Sequence, residues 1–438
     1  MSRNVNINIE HLTRVEGHGN IIVNISDGVI EKCQWQVPEA PRFFESMVRG
    51  RHYSEVARIT SRICGICSIG HTLASVKASE DALGIVVSEQ TFKLRQLLKH
   101  AENFDSNVLH VYILAAPDLL GAKSVFPLIK SNADVVKRAL SLKRLAHEWG
   151  SLIGGRTTHP TTVVPGGFSK VPSRQELKEL KNKLLAAIPE LDATVETLLS
   201  LADKIPVFDR PTEYIALSND QEYAIYDGQI QSILPDGNKT RYAVSDYLKV
   251  SNEYVSEWST AKYCKNQMAS YMVGALARIN NNYEQLCPQA RQIAEKFGLS
   301  GITNNPYMNT IAQLVELVND VHVSLTLIEQ LIESGTEKEP LLEPTRFGKG
   351  SGAVEVPRGI LFHEYSYDQE GMCTGGNYVI PTNQNHANIQ YDFEKLVPEL
   401  LQQNSTETEM ELALEMLVRA YDPCISCSAH YLSVKFVK

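Results

Sequence analysis

The chain has 438 residues, 43% of them hydrophobic and 21% charged, with 26 Gly and 19 Pro. This is ordinary globular composition, and it excludes collagen-like, low-complexity and wholesale disordered chains. Lys and Arg number 42 against 51 Asp and Glu, a formal charge of −9, so no cation excess exists to neutralise a phosphate backbone, and nucleic acid and anionic membranes are poor partners.

In chain order, residues 4–37 alternate polar and apolar side chains, as in Val5 to Ile9 and Asn20 to Ile25, with a turn at Ser26-Asp27-Gly28. They predict a small antiparallel sheet. Met1 to Asn8 holds no apolar run of signal-peptide type, which makes the cytoplasm the expected location. After Glu45 the period shifts toward 3.6, and helices are expected at about 70–83, 89–115, 131–153, 173–204, 258–297, 307–335 and 391–420. Val111 to Ala122 is the longest apolar stretch; it is broken by Asp118 and too short to cross a bilayer. Ser173, with Glu176 three residues on, marks a helix start. Ile311, Leu314, Val315, Val318, Val321, Leu325, Ile328 and Ile332 form one stripe, the signature of a bundle core. Strand-rich stretches interrupt the helices at about 213–234 and 352–381.

The expected fold is mainly α with a small N-terminal antiparallel β region, in one compact unit. Residues 1–60 carry the β region and the connection to a first cysteine motif. Residues 61–351 form a helical body with a strand insertion near 213–234, and 352–438 a β-rich segment, the last helix and a C-terminal cysteine motif. No repeat of 20–50 residues and no Ser/Gly linker divides it.

Eight cysteines are too few for a disulfide scaffold in a chain this long. Four form two Cys-x-x-Cys pairs, Cys64-Gly65-Ile66-Cys67 and Cys424-Ile425-Ser426-Cys427. Two thiols at this spacing can face one metal, and a second pair completes four sulfur ligands. A structural zinc or two separate redox dithiols fit the same residues. The pairs lie 360 residues apart, unlike a local zinc knuckle, so a shared site joins the two ends of the fold and is completed late in folding. Cys33, Cys264, Cys287 and Cys373 are scattered, which gives no iron-sulfur motif within the chain. No Gly-x-Gly-x-x-Gly follows a predicted strand, so a nicotinamide or flavin site belongs to another subunit.

Arg62-Ile63-Cys64-Gly65-Ile66-Cys67-Ser68-Ile69-Gly70-His71 and Asp422-Pro423-Cys424-Ile425-Ser426-Cys427-Ser428-Ala429-His430 resemble the two metal-binding motifs of the catalytic large subunit of nickel-iron hydrogenases. The resemblance spans nearly the whole chain, through Arg14 to His18, Arg42-Phe43-Phe44-Glu45, Gly154-Gly155-Arg156, His159-Pro160, Val356-Pro357-Arg358-Gly359 and Pro381-Thr382. It implies a nickel-iron centre that cleaves H2 reversibly into protons and electrons. Cys64 and Cys424 would be terminal on nickel, with Cys67 and Cys427 bridging to an iron that carries cyanide and carbon monoxide. Soft thiolates suit nickel, and a weak acid such as H2 needs a Lewis-acidic metal and a nearby base.

The same resemblance gives Cys424 as first proton acceptor and Glu16 as proton relay. It sets Arg358, after Pro357, as a cation over the metals, and Thr382, after Pro381, as a second donor to cyanide. Glu45 and His430 would hold magnesium or a similar divalent ion. Some family members carry a second active-site aspartate where this chain has Ser106, with Asp105 beside it; the acidic role is either absent or shifted by one residue.

The partners implied are an iron-sulfur small subunit near Gly154 to Pro160, diaphorase-type or other electron-transfer subunits, nickel-insertion factors, and a maturation endopeptidase that cuts after His430. The likeness is greatest to the cytoplasmic bidirectional branch, sulfhydrogenase-like and NAD(P)-linked ahead of heterodisulfide-reductase-linked. The competing reading is a zinc-bound assembly subunit related to the quinone-reductase core, which lacks the four metal-binding cysteines.

Overall fold

Alternation in the first strands does what the sequence predicts. In a computed structural model describing residues 4–429, β1 (Val5–Ile9), β2 (Asn20–Ser26) and β3 (Val29–Gln36) form an antiparallel sheet in the order β1-β2-β3. Its inward residues include Ile7, Ile21, Val23 and Trp35, all buried. Two short helices, α1 (Phe44–Met47) and α2 (Tyr53–Thr60), lead into the first cysteine motif. Cys67 then occupies the N-cap of α3 (Ser68–Leu83).

The body is a helical bundle. α4 (Glu89–Leu109) packs against α5 (Ala133–Gly154) and the long central helix α9 (Asn309–Ser334), which also packs on α6 (Arg174–Leu199). The expected capping box opens α6, Ser173 accepting from the Glu176 amide while Glu176 accepts from the Ser173 amide. The apolar stripe of α9 lies in the core. Among the described residues, Pro306–Ser334 is the one helix long and apolar enough to cross a membrane, and most of it is buried inside the protein.

Three expected helices come out differently. The stretch 89–115 is α-helical only to Leu109, after which His110–Ala115 widens into a π-helical turn, a rare irregularity that often marks a functional position. Within 258–297, residues 258–274 are irregular apart from a two-residue strand at Tyr271–Met272, and Gly274, at φ +120°, precedes α7 (Ala275–Asn282); α8 (Pro288–Lys296) follows. The last long helix divides into α10 (Pro381–Gln402), begun by a proline at its first position, and α11 (Glu407–Ala420). Asn404 at φ +56° and a Thr406–Glu409 capping box part them.

The first strand insertion is a four-stranded sheet ordered β6-β5-β4-β7, from β4 (Glu213–Ser218), β5 (Gln229–Ile233), β6 (Lys239–Tyr242) and β7 (Tyr271–Met272). The second is an antiparallel sheet of β8 (Lys349–Val356), β9 (Gly359–Tyr367) and β10 (Cys373–Val379). Here β8 lies directly on α3. A Cβ on Gly350 would sit 2.2 Å from the Ala82 nitrogen, and one on Gly352 2.5 Å from that of Ala78. Small residues on both sides thus let strand and helix backbones meet. The main hydrophobic core runs from Val5 to Cys427, and a second, smaller one is built on the two inserted sheets, with Ile215, Tyr247, Ala353 and Phe362.

Candidate metal centre

The sulfurs of Cys64, Cys67, Cys424 and Cys427 all lie within 4.8 Å of one another, and all four residues are buried. Cys64 and Cys424 are 3.5 Å apart. The first pair is shaped by a turn: the amides of Ile66 and Cys67 each donate to Cys64 Sγ at 3.2 Å. The second follows α11 through Asp422, at φ +49°, and ends in the single turn α12 (Ile425–Ser428).

Contacts from the other thiols, Cys424 first, and the charge of Arg358 hold the Cys64 thiol well below its ordinary pKa. Burial pushes Cys424 well above it. Four buried thiols this close cannot all ionise beside the single Arg358 guanidinium without a further cation among them, so this donor set fits a soft metal centre.

Three segments clamp the motifs. Glu16 lies in the loop between β1 and β2, where its backbone forms an isolated parallel bridge with Cys424 and its carbonyl accepts from the Ile425 amide at 2.9 Å. Its carboxylate takes hydrogen bonds from the Ser426 amide, at 3.2 Å, and hydroxyl. Gly17, at φ +85°, is obligatory here, because a Cβ would come 2.6 Å from the Ser426 nitrogen. Arg42 Nη2 donates both to Ile63 O, at 2.7 Å, and to Ser426 O, at 2.6 Å, so one guanidinium ties the two motifs together. His159, at φ +56°, braces the first motif, its amide donating to Ser68 Oγ at 2.8 Å and Nδ1 meeting Ser61 O at 2.9 Å.

Pro357 and Arg358 form the two-residue tip between β8 and β9, where Val356 pairs with Gly359. Arg358 is buried; Nε donates to Asp422 O at 2.7 Å and Nη2 to Asp422 Oδ1 at 2.9 Å, while Nη1 has no partner. The tip is fixed from behind by Arg278, which donates to Val356 O at 2.9 Å and Pro357 O at 3.0 Å and pairs with Glu316 and Glu355. Pro381 starts α10, and Thr382 Oγ1 accepts from the Cys424 amide at 3.0 Å.

Glu45 stands half-buried in α1, whereas His430, its expected co-ligand, lies outside the described residues. Asp105 is paired with Lys143 at 2.8 Å and His147 at 3.3 Å, while Ser106 is buried with its hydroxyl unpartnered. His71 is buried, its Nδ1 3.1 Å from His363 Nε2. The sequence reading missed the roles of Arg42, Arg278 and Gln313, whose Nε2 donates to Asp422 Oδ2 at 3.1 Å. Arg42 stood inside a quoted motif, but Arg278 and Gln313 carry no local signal, being brought in by long-range packing.

The family described as nickel-dependent hydrogenase matches residues 42–136 and 203–430. The chain belongs to the nickel-dependent hydrogenase family. A second family, described as HoxL-like, matches residues 6–40. Sulfhydrogenase 1 subunit alpha of Pyrococcus furiosus is 31% identical, over 97% of this chain and 97% of its own. The NAD-reducing hydrogenase HoxS subunit beta of Cupriavidus necator is 30% identical, over 97% and 94%. A crystal structure of an NAD+-reducing [NiFe]-hydrogenase in the H2-reduced state superposes with a TM-score of 0.89 at 26% identity, covering 98% of this chain and 100% of that one. This hydrogenase chain is therefore a catalytic large subunit, an oxidoreductase acting on hydrogen, and the four cysteines form its nickel-iron site. The zinc-bound assembly reading is not favoured.

Proposed function

We propose that this subunit splits H2 heterolytically and reversibly, with Cys424 and Glu16 handling the proton and Arg358 and Thr382 holding the iron's diatomic ligands. The observation that carries the reading is a four-sulfur cluster drawn from both chain ends beneath a buried guanidinium with one unpartnered nitrogen. When bound, the nickel-iron centre supplies Lewis acidity and redox capacity. Arg358 Nη1 is an orphaned buried donor, costly unless an acceptor occupies the space before it; a cyanide on iron is such an acceptor. The Thr382 hydroxyl accepts from the Cys424 amide and so keeps its own proton to donate.

Cys424 Sγ is the first base, and the Glu16 carboxylate, hydrogen-bonded two residues further along, takes the proton outward. Pro357 and Pro381 stiffen the segments that present Arg358 and Thr382. Glu45 and His430 hold a magnesium-like ion. Electrons leave to an iron-sulfur small subunit docked beside Gly154 to Pro160, then to NAD(P) or another soluble acceptor, in the cytoplasm. Relatives that are alpha or beta subunits of hydrogenases and an NAD+-reducing structural neighbour support this. Maturation ends the chain at His430, so the intact mass of active enzyme should lack Tyr431 to Lys438; their retention would refute the cut.

The test is metal analysis with infrared spectroscopy of the purified complex. Nickel together with cyanide and carbon monoxide bands is expected; one zinc and no such bands would overturn the reading. Cys424→Ser should abolish uptake and evolution. Glu16→Gln should retain nickel and lose proton–deuterium exchange, and normal exchange in that variant would remove Glu16 from the path.

A further inference from the structure

Hairpin tips ordinarily leave their carbonyls to solvent, so they are among the looser parts of a sheet. The Pro357–Arg358 tip is held from inside the protein. The carbonyls of Val356 and Pro357, on consecutive residues, both accept from Arg278 of α7, at 2.9 and 3.0 Å.

The guanidinium is fully buried, and each of its five N–H groups has an acceptor. Three go to carboxylates: Nε and one Nη2 proton to Glu316, and one Nη1 proton to Glu355 Oε2 at 3.0 Å. Neutralising two buried acids accounts for those three and for nothing more. The other two fall on the tip. The Pro357 carbonyl lies in the same rigid peptide plane as the Arg358 nitrogen, so fixing that oxygen sets the direction in which Arg358 leaves the chain. Glu316 in turn is fixed by Tyr223, Asn107 and Asn103, at 2.8, 3.0 and 3.3 Å, so the fork cannot swing on its stem. The tip strand also meets the first motif: a Cβ on Gly70, in the first turn of α3, would come 2.1 Å from Val356 Cγ1. The strand that carries Arg358 is thus seated against the helix capped by Cys67 and gripped by Arg278. Arg358 itself lies within electrostatic reach of Cys424, Cys67 and Cys64.

We propose that Arg278, held by Glu316, is a positioning residue that aims Arg358 at the four sulfurs. That role rests on the reading above, in which Arg358 Nη1 meets a ligand of iron. Lysine cannot replace Arg278, because three donors about one nitrogen do not span two carboxylates and two carbonyls.

Hydrogen–deuterium exchange and infrared spectroscopy of the purified holoenzyme complex test grip and aim separately. In Arg278→Lys the Arg358 and Gly359 amides should exchange about tenfold faster or more, the effect of losing hydrogen bonds to a charged group. Unchanged protection would overturn the grip, whatever metal is bound. Glu316→Gln is the milder variant. An amide offers one acceptor where the carboxylate offers two, so either Nε or Nη2 of Arg278 faces an N–H and the fork turns. With nickel retained, a cyanide band should shift in Glu316→Gln, and shift further in Arg278→Lys. Leu331→Ala controls for lost stability alone: it opens a cavity on α9 about 22 Å from Glu316, and should lower the melting temperature with the cyanide bands unmoved. Bands unmoved in Glu316→Gln, or moved equally in Leu331→Ala, would sink the aiming role. Wild-type enzyme without cyanide bands would count instead against the proposed function, and the exchange result would still decide the grip.

Discussion

A buried histidine shows how the identity of a neighbour fixes a proton. His386 accepts from Trp35 Nε1 at 3.0 Å, so its remaining nitrogen donates to Ser428 Oγ, which in turn donates to Ile425 O at 2.6 Å. Burial pushes its pKa down to about 3. Its folded value lies below the unfolded one, so between about pH 6.5 and 3 the unfolded chain binds a proton that the folded chain refuses, and stability falls as pH falls. This one group should cost about 1.4 kcal/mol per pH unit in that window and nothing above it. Urea unfolding at a series of pH values checks this, because His386→Gln should flatten the acid limb by that slope. A variant with the wild-type acid slope would show that His386 titrates normally. At this scale the cysteines were legible in sequence because motif spacing marks them, and the family resemblance pointed to Glu16 and Thr382, which the fold sets against Cys424, and to Arg358. Gln313 and Arg278 were not, since their partners lie far along the chain and only the folded bundle brings the groups together.

Among the elements, the contact of β8 with α3 sets the height of the Pro357–Arg358 tip over the sulfurs. Gly352 faces the Ala74 carbonyl and the Ala78 nitrogen at van der Waals limits, backbone against backbone, so a side chain there has nowhere to turn. Gly352→Val should destabilise by about 1–3 kcal/mol through overpacking and lower nickel occupancy as the tip lifts. Thermal melting and metal analysis measure the two effects, and a variant that kept both would mean the tip is held by Arg278 alone. The periodicity that predicted α4 and α9 was strong, because each has a clear buried face. It failed at 258–274, where apolar residues pack in irregular backbone, and it ran α10 and α11 together because it does not register the Asn404 break. The π turn at His110–Ala115 leaves almost no sequence trace, being a single-residue widening of an otherwise helical pattern.

For the molecule as a whole, the sulfur cluster joins residues 360 apart and is buried in the main core, which runs from Val5 to Cys427. Arg42 and the Glu16–Cys424 bridge tie the two ends together through the polypeptide itself. A metal bound to both pairs adds a crosslink. By the loop-entropy relation used for disulfides, a closed loop of this length is worth about 6 kcal/mol against the unfolded chain. Chelated or nickel-free protein should therefore keep its helical content at room temperature but melt at a markedly lower temperature. Equal melting of the two forms would show that Arg42 and Glu16 alone close the ends. Seen this way, the centre acts as a lock on chain topology. Once filled, it leaves nearly the entire polypeptide inside one ring, and a single proteolytic nick anywhere between the motifs would open the ring without releasing either end from the metal.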